Sequence, residues 1–427
     1  MLTQWQYWLT SLRPDQSWAV LGFALFGDGP RYAFCMFLMA TADAVLVVWD
    51  WLLGRREPTE YEYCPTIALL LVGHNEGDSI EAGLHSVWGR YPRMEIIVVD
   101  DGSSDDMAAN ARRFARDHDG VLVLSRAERG GKSSALNWAL AYTRAEIVLC
   151  VDTDSHLSDT SLWEIVQPFT DPTVGAVSAC VEARNPLDNL CTWMQAYEYR
   201  QTIYLGRLLQ ERLGMLAIVS GAFGAFRRSL LEQVGAWDVG PGEDGDVTLR
   251  IRKAGYRVAV APRATCLTDV PTEWVRLFKQ RCRWDRTVVT FECRKHLDLS
   301  FFWYSNFRLS NLGMMLERWF FNVACVYTFW GYAFWLSFVF SGDLVNLLIL
   351  LYLMQIGLEA VQFLLLLCYS YTPGRDLFIA AVLPFYPLYQ VFLKAADLVA
   401  VTEELFFRKS RDDNFVPLRV REATWHW

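Results

Sequence analysis

The sequence predicts an α/β domain, a sheet flanked by helices, set between apolar helical segments at both ends of the chain. Two observations carry that expectation. Four short apolar runs, at residues 66–72, 94–100, 121–124 and 146–152, are mostly followed by helix-like stretches. Such alternation gives a mostly parallel sheet covered by helices. The chain of 427 residues is also 53% hydrophobic, more than a wholly soluble protein carries, and the excess lies toward the two ends.

Taken in order, residues 31–53 form an apolar stretch of bilayer-spanning length, with Asp43 and Asp50 as its acidic interruptions. It runs into Arg55-Arg56, which places that end in the cytosol. The run at 18–27 is too brief to span and reads as an interfacial or broken helix. After a linker at 57–64 the α/β alternation begins; from 174 to 269 the period is more mixed. Residues 274–295 read as a basic, aromatic-bearing helix and 301–317 as an amphipathic interfacial helix. Residues 320–340 and 344–369 read as spans, and 377–399 as a third that Pro384 and Pro387 interrupt. The tail carries Arg408, Lys409, Arg411, Arg419 and Arg421, a cytosolic composition. Three complete spans would export that tail, so the parity stays open. The expected division is an N-terminal interfacial segment and transmembrane helix (1–56), a cytosolic catalytic domain (57–298), an interfacial helix (299–317), transmembrane helices (318–400) and a tail (401–427).

The net charge of −8 argues against a polyanion-binding surface, so no nucleic-acid partner is expected. The ten cysteines include no CxxC pair and no zinc spacing, which reads as free thiols in a reducing compartment. The N-terminus lacks the pattern of a removable signal peptide.

Ligands in open α/β sheets bind at the C-terminal strand ends, where Asn75-Glu76, Asp100-Asp101 and Asp152-Thr153-Asp154 fall. Asp101 is placed to accept from the N3–H of a uracil-type base, with turn capping alone as the plain alternative. Gly130-Gly131-Lys132 opens a helix without the glycine spacing of an ATP-binding loop. Its lysine can reach a nucleotide diphosphate, or else is merely solvated. Asp152 and Asp154 are hard oxygen donors suited to Mg²⁺ or Mn²⁺, though two carboxylates at a strand end are also an ordinary turn. Glu243-Asp244 precedes a helix expected over 247–254. Acidic helix starts are common, and the functional alternative makes Asp244 the base that deprotonates an acceptor hydroxyl. Ser220-Gly221 lets backbone approach beneath a sugar, or simply bends a strand. In Gln280-Arg281-Cys282-Arg283-Trp284, the indole can stack on a sugar face and Arg283 can approach a diphosphate. The competing explanation is an interfacial Arg–Trp turn.

The ordered set Asn75-Glu76, Asp101, Lys132, Asp152-Thr153-Asp154, Ser220-Gly221, Glu243-Asp244 and Gln280-x-x-Arg283-Trp284 resembles family 2 glycosyltransferases with a GT-A fold. It is most similar to the membrane-embedded processive synthases of hyaluronan, chitin, poly-N-acetylglucosamine and cellulose. The likeness covers roughly residues 65–286. It implies a Rossmann-like mixed sheet, an inverting transfer from a UDP-sugar, and a divalent cation. Asp101, Glu76 and Lys132 would hold the nucleotide, Asp152 and Asp154 the diphosphate and metal, and Asp244 would be the base. The Gln280–Trp284 turn would line the acceptor site. Such enzymes extend a glycan at the cytosolic face of the plasma membrane and thread it through their helices. With few spans here, a homo-oligomer or an accessory export subunit is an expected partner.

The rival expectation is transfer of one sugar to a membrane lipid. A transporter with a soluble regulatory domain is disfavoured, because the expected spans carry few ionisable residues (Asp43, Asp50, Glu359, Lys394). A catalytically dead scaffold is disfavoured because every reactive position is filled.

Overall fold

The computed structural model describes residues 2–26, 34–52, 61, 63–238, 242–304, 306–412 and 417–424. Arg55-Arg56, most of the 57–64 linker, and residues 31–33 and 53 of the expected first span lie outside the described residues. So do the Asp50 and Arg419 side chains.

Eight strands form one sheet: β1 (Ile67–Gly73), β2 (Met94–Asp101), β3 (Val121–Arg126), β4 (Ile147–Asp152), β5 (His156–Leu157), β6 (Val174–Ala183), β7 (Phe223–Arg227) and β8 (Arg257–Thr268). Their spatial order is β3-β2-β1-β4-β7-β6-β8-β5. The strands β1 to β4 pair in parallel. They are buried on both faces at β1 and β4, which is why they read as continuous apolar runs rather than as alternation. The second half is mixed, as the family resemblance implies and as apolar spacing alone did not show. β7 runs against both β4 and β6, and β5 against β8, so the sheet is mixed.

Register decides where the site forms. Gly73 is opposite Asp100, and Val72 is opposite Asp152, so the C-terminal ends of β1, β2 and β4 share one edge. Because β7 is antiparallel to β4, its start lies at that same edge. The Asp152 N–H donates to the Ala222 carbonyl at 3.2 Å, which sets Ser220-Gly221 beside the acidic strand end.

The helix Trp274–Thr287 runs on as a π-helical segment, Val288–Lys295. It packs on the helix Tyr386–Phe407 through Cys282, Ala396 and Ala400. The expected interfacial helix at 301–317 starts later, at Leu309, and continues through the π-helical segment Phe320–Ala324 to Val339. No proline or glycine stands at residues 317–330 to end it at 317. Among the described residues two helices are long and apolar enough to cross a membrane, Leu344–Tyr369 and Pro373–Phe407. The segment expected as a span at 320–340 is not one of them; the α-helix there, Cys325–Val339, is 15 residues long, short of the roughly 20 that a bilayer needs. Pro384 sits in a 3₁₀ turn, Ala380–Phe385, and Pro387 opens the next helix, so the prolines deform the run without ending it. Leu344–Tyr369 leaves Val345, Leu348, Leu353 and Leu364 exposed, an apolar surface that lipid would cover.

The two parts of the molecule are joined by polar contacts, those of Arg200 and Gln201 buried. Arg200 forks onto Asp376 at 2.8 and 2.7 Å and reaches Glu182 at 3.0 Å. Gln201 donates to Glu359 at 2.7 Å, and Gln390 to the same carboxylate at 2.6 Å. Asp43 takes Tyr369 at 2.8 Å and Arg212 at 3.0 Å. All ten cysteines are free thiols, as composition led one to expect.

Candidate active site

A cavity of 850 Å³ opens at the shared strand edge. Its walls include Glu76, Asp101, Lys132, Asp152, Asp154, Ser220, Gly221, Glu243, Asp244, Gln280, Arg283 and Trp284. Of the residues singled out from sequence, Asn75 stands apart from those walls. Its φ of 60° is one that asparagine tolerates, and its carboxamide oxygen accepts from the Ser104 N–H at 2.8 Å. Asn75 therefore shapes the turn rather than the pocket.

Asp101 is buried, and its carboxylate organises the neighbouring loop. Its oxygens accept from Gly130 N at 2.9 Å and Gly131 N at 2.8 Å, and Arg126 bonds the same group. Arg126 and Gly130 N meet at Oδ1, while Oδ2 takes Gly131 N alone and keeps capacity for a further donor. Gly131 has φ +86°, a conformation that glycine adopts without strain. The turn it makes aims the first residue of the helix Lys132–Leu140 at the acidic centre.

Lys132 Nζ lies 2.7 Å from Asp152 Oδ1, 3.3 Å from Glu243 Oε1 and 3.4 Å from the Gly221 carbonyl. Burial alone would push its ammonium down. The charges of Asp152, Glu243 and Asp244 more than offset this, and the net direction is up. Lys132 stays a cation. Asp154 goes the other way, raised to about 6 by burial and then by Asp152 and Glu76.

The helix expected from 247 begins earlier, as Glu243–Lys253, with Glu243, Asp244 and Asp246 in its first turn. Gly242, at φ +80°, makes that early start possible; a Cβ there would come within 2.8 Å of Thr287. The helix dipole favours three acids at this end. Asp244 accepts from Gly245 N at 2.8 Å and Gly221 N at 3.1 Å. Burial, then Glu243, raise its pKa to about 6, while Lys132 and the two N–H groups hold it back. A carboxylate with that affinity for protons, facing open space, can take one near neutral pH. Behind it, Asp246 is held well below the usual carboxylate range: burial opposes this, but His296, Arg250 and Lys295 prevail.

Trp284 is 37% exposed, leaving its face open to a ligand. The guanidinium over its ring, at 4.3 Å, belongs to Arg281 and not to Arg283. Arg281 is buried and paired with Glu198 at 3.0 Å; Tyr389 donates to the same carboxylate at 2.6 Å. Sequence reasoning missed Arg281 and Glu198 because their partners are 83 residues apart and only tertiary packing joins them. It also missed Asp285, whose carboxyl is raised by burial and by Asp397, and the cavity's inner wall of Gln362, Tyr386, Gln390 and Lys394. A signal existed for that wall, since amides and charges recur in otherwise apolar helices.

Residues 65–287 match the family described as "Glycosyltransferase like family 2". A poly-beta-1,6-N-acetyl-D-glucosamine synthase of Staphylococcus epidermidis is 33% identical over 229 residues, 53% of this chain and 55% of that protein. The synthase of Staphylococcus aureus strain MSSA476 is 31% identical over 235 residues, 54% of this chain and 57% of that protein. The matched part thus spans just over half of these curated relatives. In three dimensions the chain is similar to a mannosyltransferase of Pyrobaculum calidifontis, solved with GDP-Man and Mn²⁺. The TM-score is 0.59 at 22% identity, over 88% of this chain and 99% of the other. The mixed sheet, its acidic edge and a match that takes in every strand lead to one conclusion: this chain belongs to the glycosyltransferase-like family 2, on a GT-A fold.

Proposed function

We propose that this protein is a membrane-embedded, inverting glycosyltransferase that polymerises sugar units from a UDP-sugar into an exported polysaccharide. The observation that carries this reading is one continuous cavity. Asp154, Asp244 and Trp284 all open onto it, and it runs on to Gln362 and Gln390 of the apolar helices. A lipid tail would want an apolar recess there, whereas amides suit the hydroxyls of a glycan.

In this reading Glu76, Asp101 and Lys132 hold the nucleotide, and Arg283 approaches the diphosphate. Asp152 and Asp154 offer hard oxygens to Mg²⁺ or Mn²⁺. Among the described residues no group of three acidic, imidazole or thiolate side chains converges, so diphosphate and water would complete the shell. The fit rests on two carboxylates, one raised to about 6 by burial and then by its acidic neighbours Asp152 and Glu76, a charge that a cation would relieve. Bound there, the ion supplies positive charge against the departing diphosphate. Trp284, Gln280, Ser220 and Gly221 position the acceptor. Asp244, supported by Glu243, takes the acceptor proton as the oxygen attacks the anomeric carbon, and a single displacement inverts it. The catalytic domain would face the cytosol, with the basic residues Arg408, Lys409 and Arg411 just beyond the last apolar helix.

The test supplies membranes containing the protein with individual UDP-sugars and follows UDP release and products. A polymer ladder from one donor supports the reading. One lipid-linked product would replace it by single transfer, and no UDP release would end it.

A further inference from the structure

Arg207 lines the cavity and has no part in the roles above. It opens the helix Arg207–Arg212, directly after the π-helical segment Arg200–Gly206. One of its nitrogens, Nη1, donates to Ser178 Oγ at 2.7 Å and to the Ala179 carbonyl at 3.5 Å. Other arginines at the cavity have anionic partners: Arg281 is 3.0 Å from Glu198 and Arg318 is 2.5 Å from Glu292. Among the described residues Arg207 has no ion-pair partner, and there its Nε and Nη2 make no hydrogen bond. Those two groups are not sealed in the interior either, so they face the cavity. A half-buried guanidinium with unspent donors and no carboxylate in contact, Asp244 acting on it only through space, is a site built for oxygen atoms of something else.

Its location says which substrate. Ser178 Oγ, which anchors Arg207, also accepts from the Ser220 N–H at 3.2 Å. The next residue, Gly221, donates its N–H to Asp244 at 3.1 Å. Arg207 is therefore tied through Ser178 to the Ser220–Gly221 backbone that also holds Asp244, in the cavity that Trp284 and Gln280 line. Lys132 already serves the Asp152 side of that turn.

We propose that Arg207 binds the acceptor sugar. Its free N–H groups take an oxygen of a hydroxyl-bearing glycan and stabilise the negative charge that grows on the attacking oxygen. The inference rests on the reading of Asp244 as the base. The acceptor O–H proton passes to Asp244, the freed electron pair forms the bond to the anomeric carbon, and the bond to the diphosphate oxygen breaks with its pair leaving on UDP. Preorganised donors at a developing oxyanion are worth roughly 10²–10³ in rate.

The experiment uses the full chain in detergent with the UDP-sugar it turns over and an oligosaccharide acceptor. It compares Arg207→Met, Arg207→Lys and Ser178→Ala with the unsubstituted protein. Three quantities are read: UDP affinity, glycan transfer, and donor hydrolysed without transfer. Arg207→Met is expected to lose roughly 100-fold in transfer. Its UDP affinity and donor KM stay near normal, and its share of donor lost to hydrolysis rises. Arg207→Lys recovers part of the loss, since it keeps the charge but not the fork. Ser178→Ala, which leaves the guanidinium in place but unanchored, shows the same hydrolysis shift on a smaller scale. Retained UDP affinity certifies the fold of each variant. Full transfer by Arg207→Met, or loss of UDP affinity in step with transfer in a variant that still folds as Ser178→Ala does, overturns the assignment alone. An unsubstituted protein that turns over no UDP-sugar overturns it together with the reading of the reaction.

Discussion

Asp244→Asn keeps the size and planar shape of the side chain and removes its capacity to take a proton. For chemistry, the loss is that of a positioned base, roughly 10²–10⁴ in kcat, or roughly 3–5 kcal/mol on the barrier. For stability the direction is opposite. In the folded chain the Asp244 carboxyl is raised from 3.8 to about 6 by burial and by Glu243, so the native state resists its ionisation. The resulting cost is absent below pH 3.8, grows between 3.8 and 6, and is complete above 6, where it reaches about 3 kcal/mol. Asparagine removes that cost. Its amide satisfies only one of the two N–H groups that now reach Asp244, from Gly221 and Gly245, and losing the other costs about 1 kcal/mol. The variant should therefore melt a few degrees higher than the parent at pH 8. That gain should vanish near pH 4, while UDP binding is kept. The assay pairs UDP release with thermal unfolding in detergent at both pH values. Turnover within tenfold of the parent would refute the role of base. A stability difference that does not change with pH would refute the desolvated carboxyl.

The unsubstituted protein should show kcat/KM rising with pH to a plateau, half-maximal near 6, the value to which Asp244 is raised; an acid-insensitive profile would count against it. Lys132→Met removes the cation that holds the Asp244 pKa down, so its kcat profile should move to higher pH, and a shift to lower pH would contradict the electrostatic account. Gly221→Ala places a methyl 3.1 Å from Asp244 Oδ2. Displacing the base by a few tenths of an ångström should lower kcat about tenfold with donor KM unchanged, measured by initial rates. Chelation with EDTA should abolish transfer and Mn²⁺ should restore it, whereas Asp154→Asn should need a higher Mn²⁺ concentration for half-maximal rate. Trp284→Ala should shorten the product on a sizing gel and leave UDP affinity alone, as the acceptor role proposed for its indole requires.

Much of the first half of the sheet was legible because strands buried on both faces have no alternative to continuous apolar residues. The expected run at 94–100 became β2, Met94–Asp101, and that at 146–152 became β4, Ile147–Asp152. The antiparallel entry of β7 was not legible. Nothing local in Phe223–Arg227 tells which way it will run, and its direction follows from the whole connection out of β6. The acidic edge was visible as motifs, since each lies at a strand end or helix start. Arg207 and Arg281 were hidden, because a lone arginine in sequence carries no sign of whether a carboxylate waits for it across the fold. The three π-helical segments were hidden for a related reason. A one-residue slip in the backbone ladder leaves almost no trace in apolar spacing.

The Arg200 fork onto Asp376 and Glu182 bears on how the molecule can be handled. Arg200 and Asp376 are 5% and 1% exposed, and they come from opposite sides of any cut made between residues 298 and 344. A fragment ending at such a cut would leave a guanidinium beside Glu182 with its stronger partner gone, and removing one member of a buried pair costs roughly 3–5 kcal/mol. It would also strip Gln201 of Glu359. A stand-alone sheet domain would therefore lose a charged contact on which its own packing relies, and biochemical work should begin from the intact polypeptide.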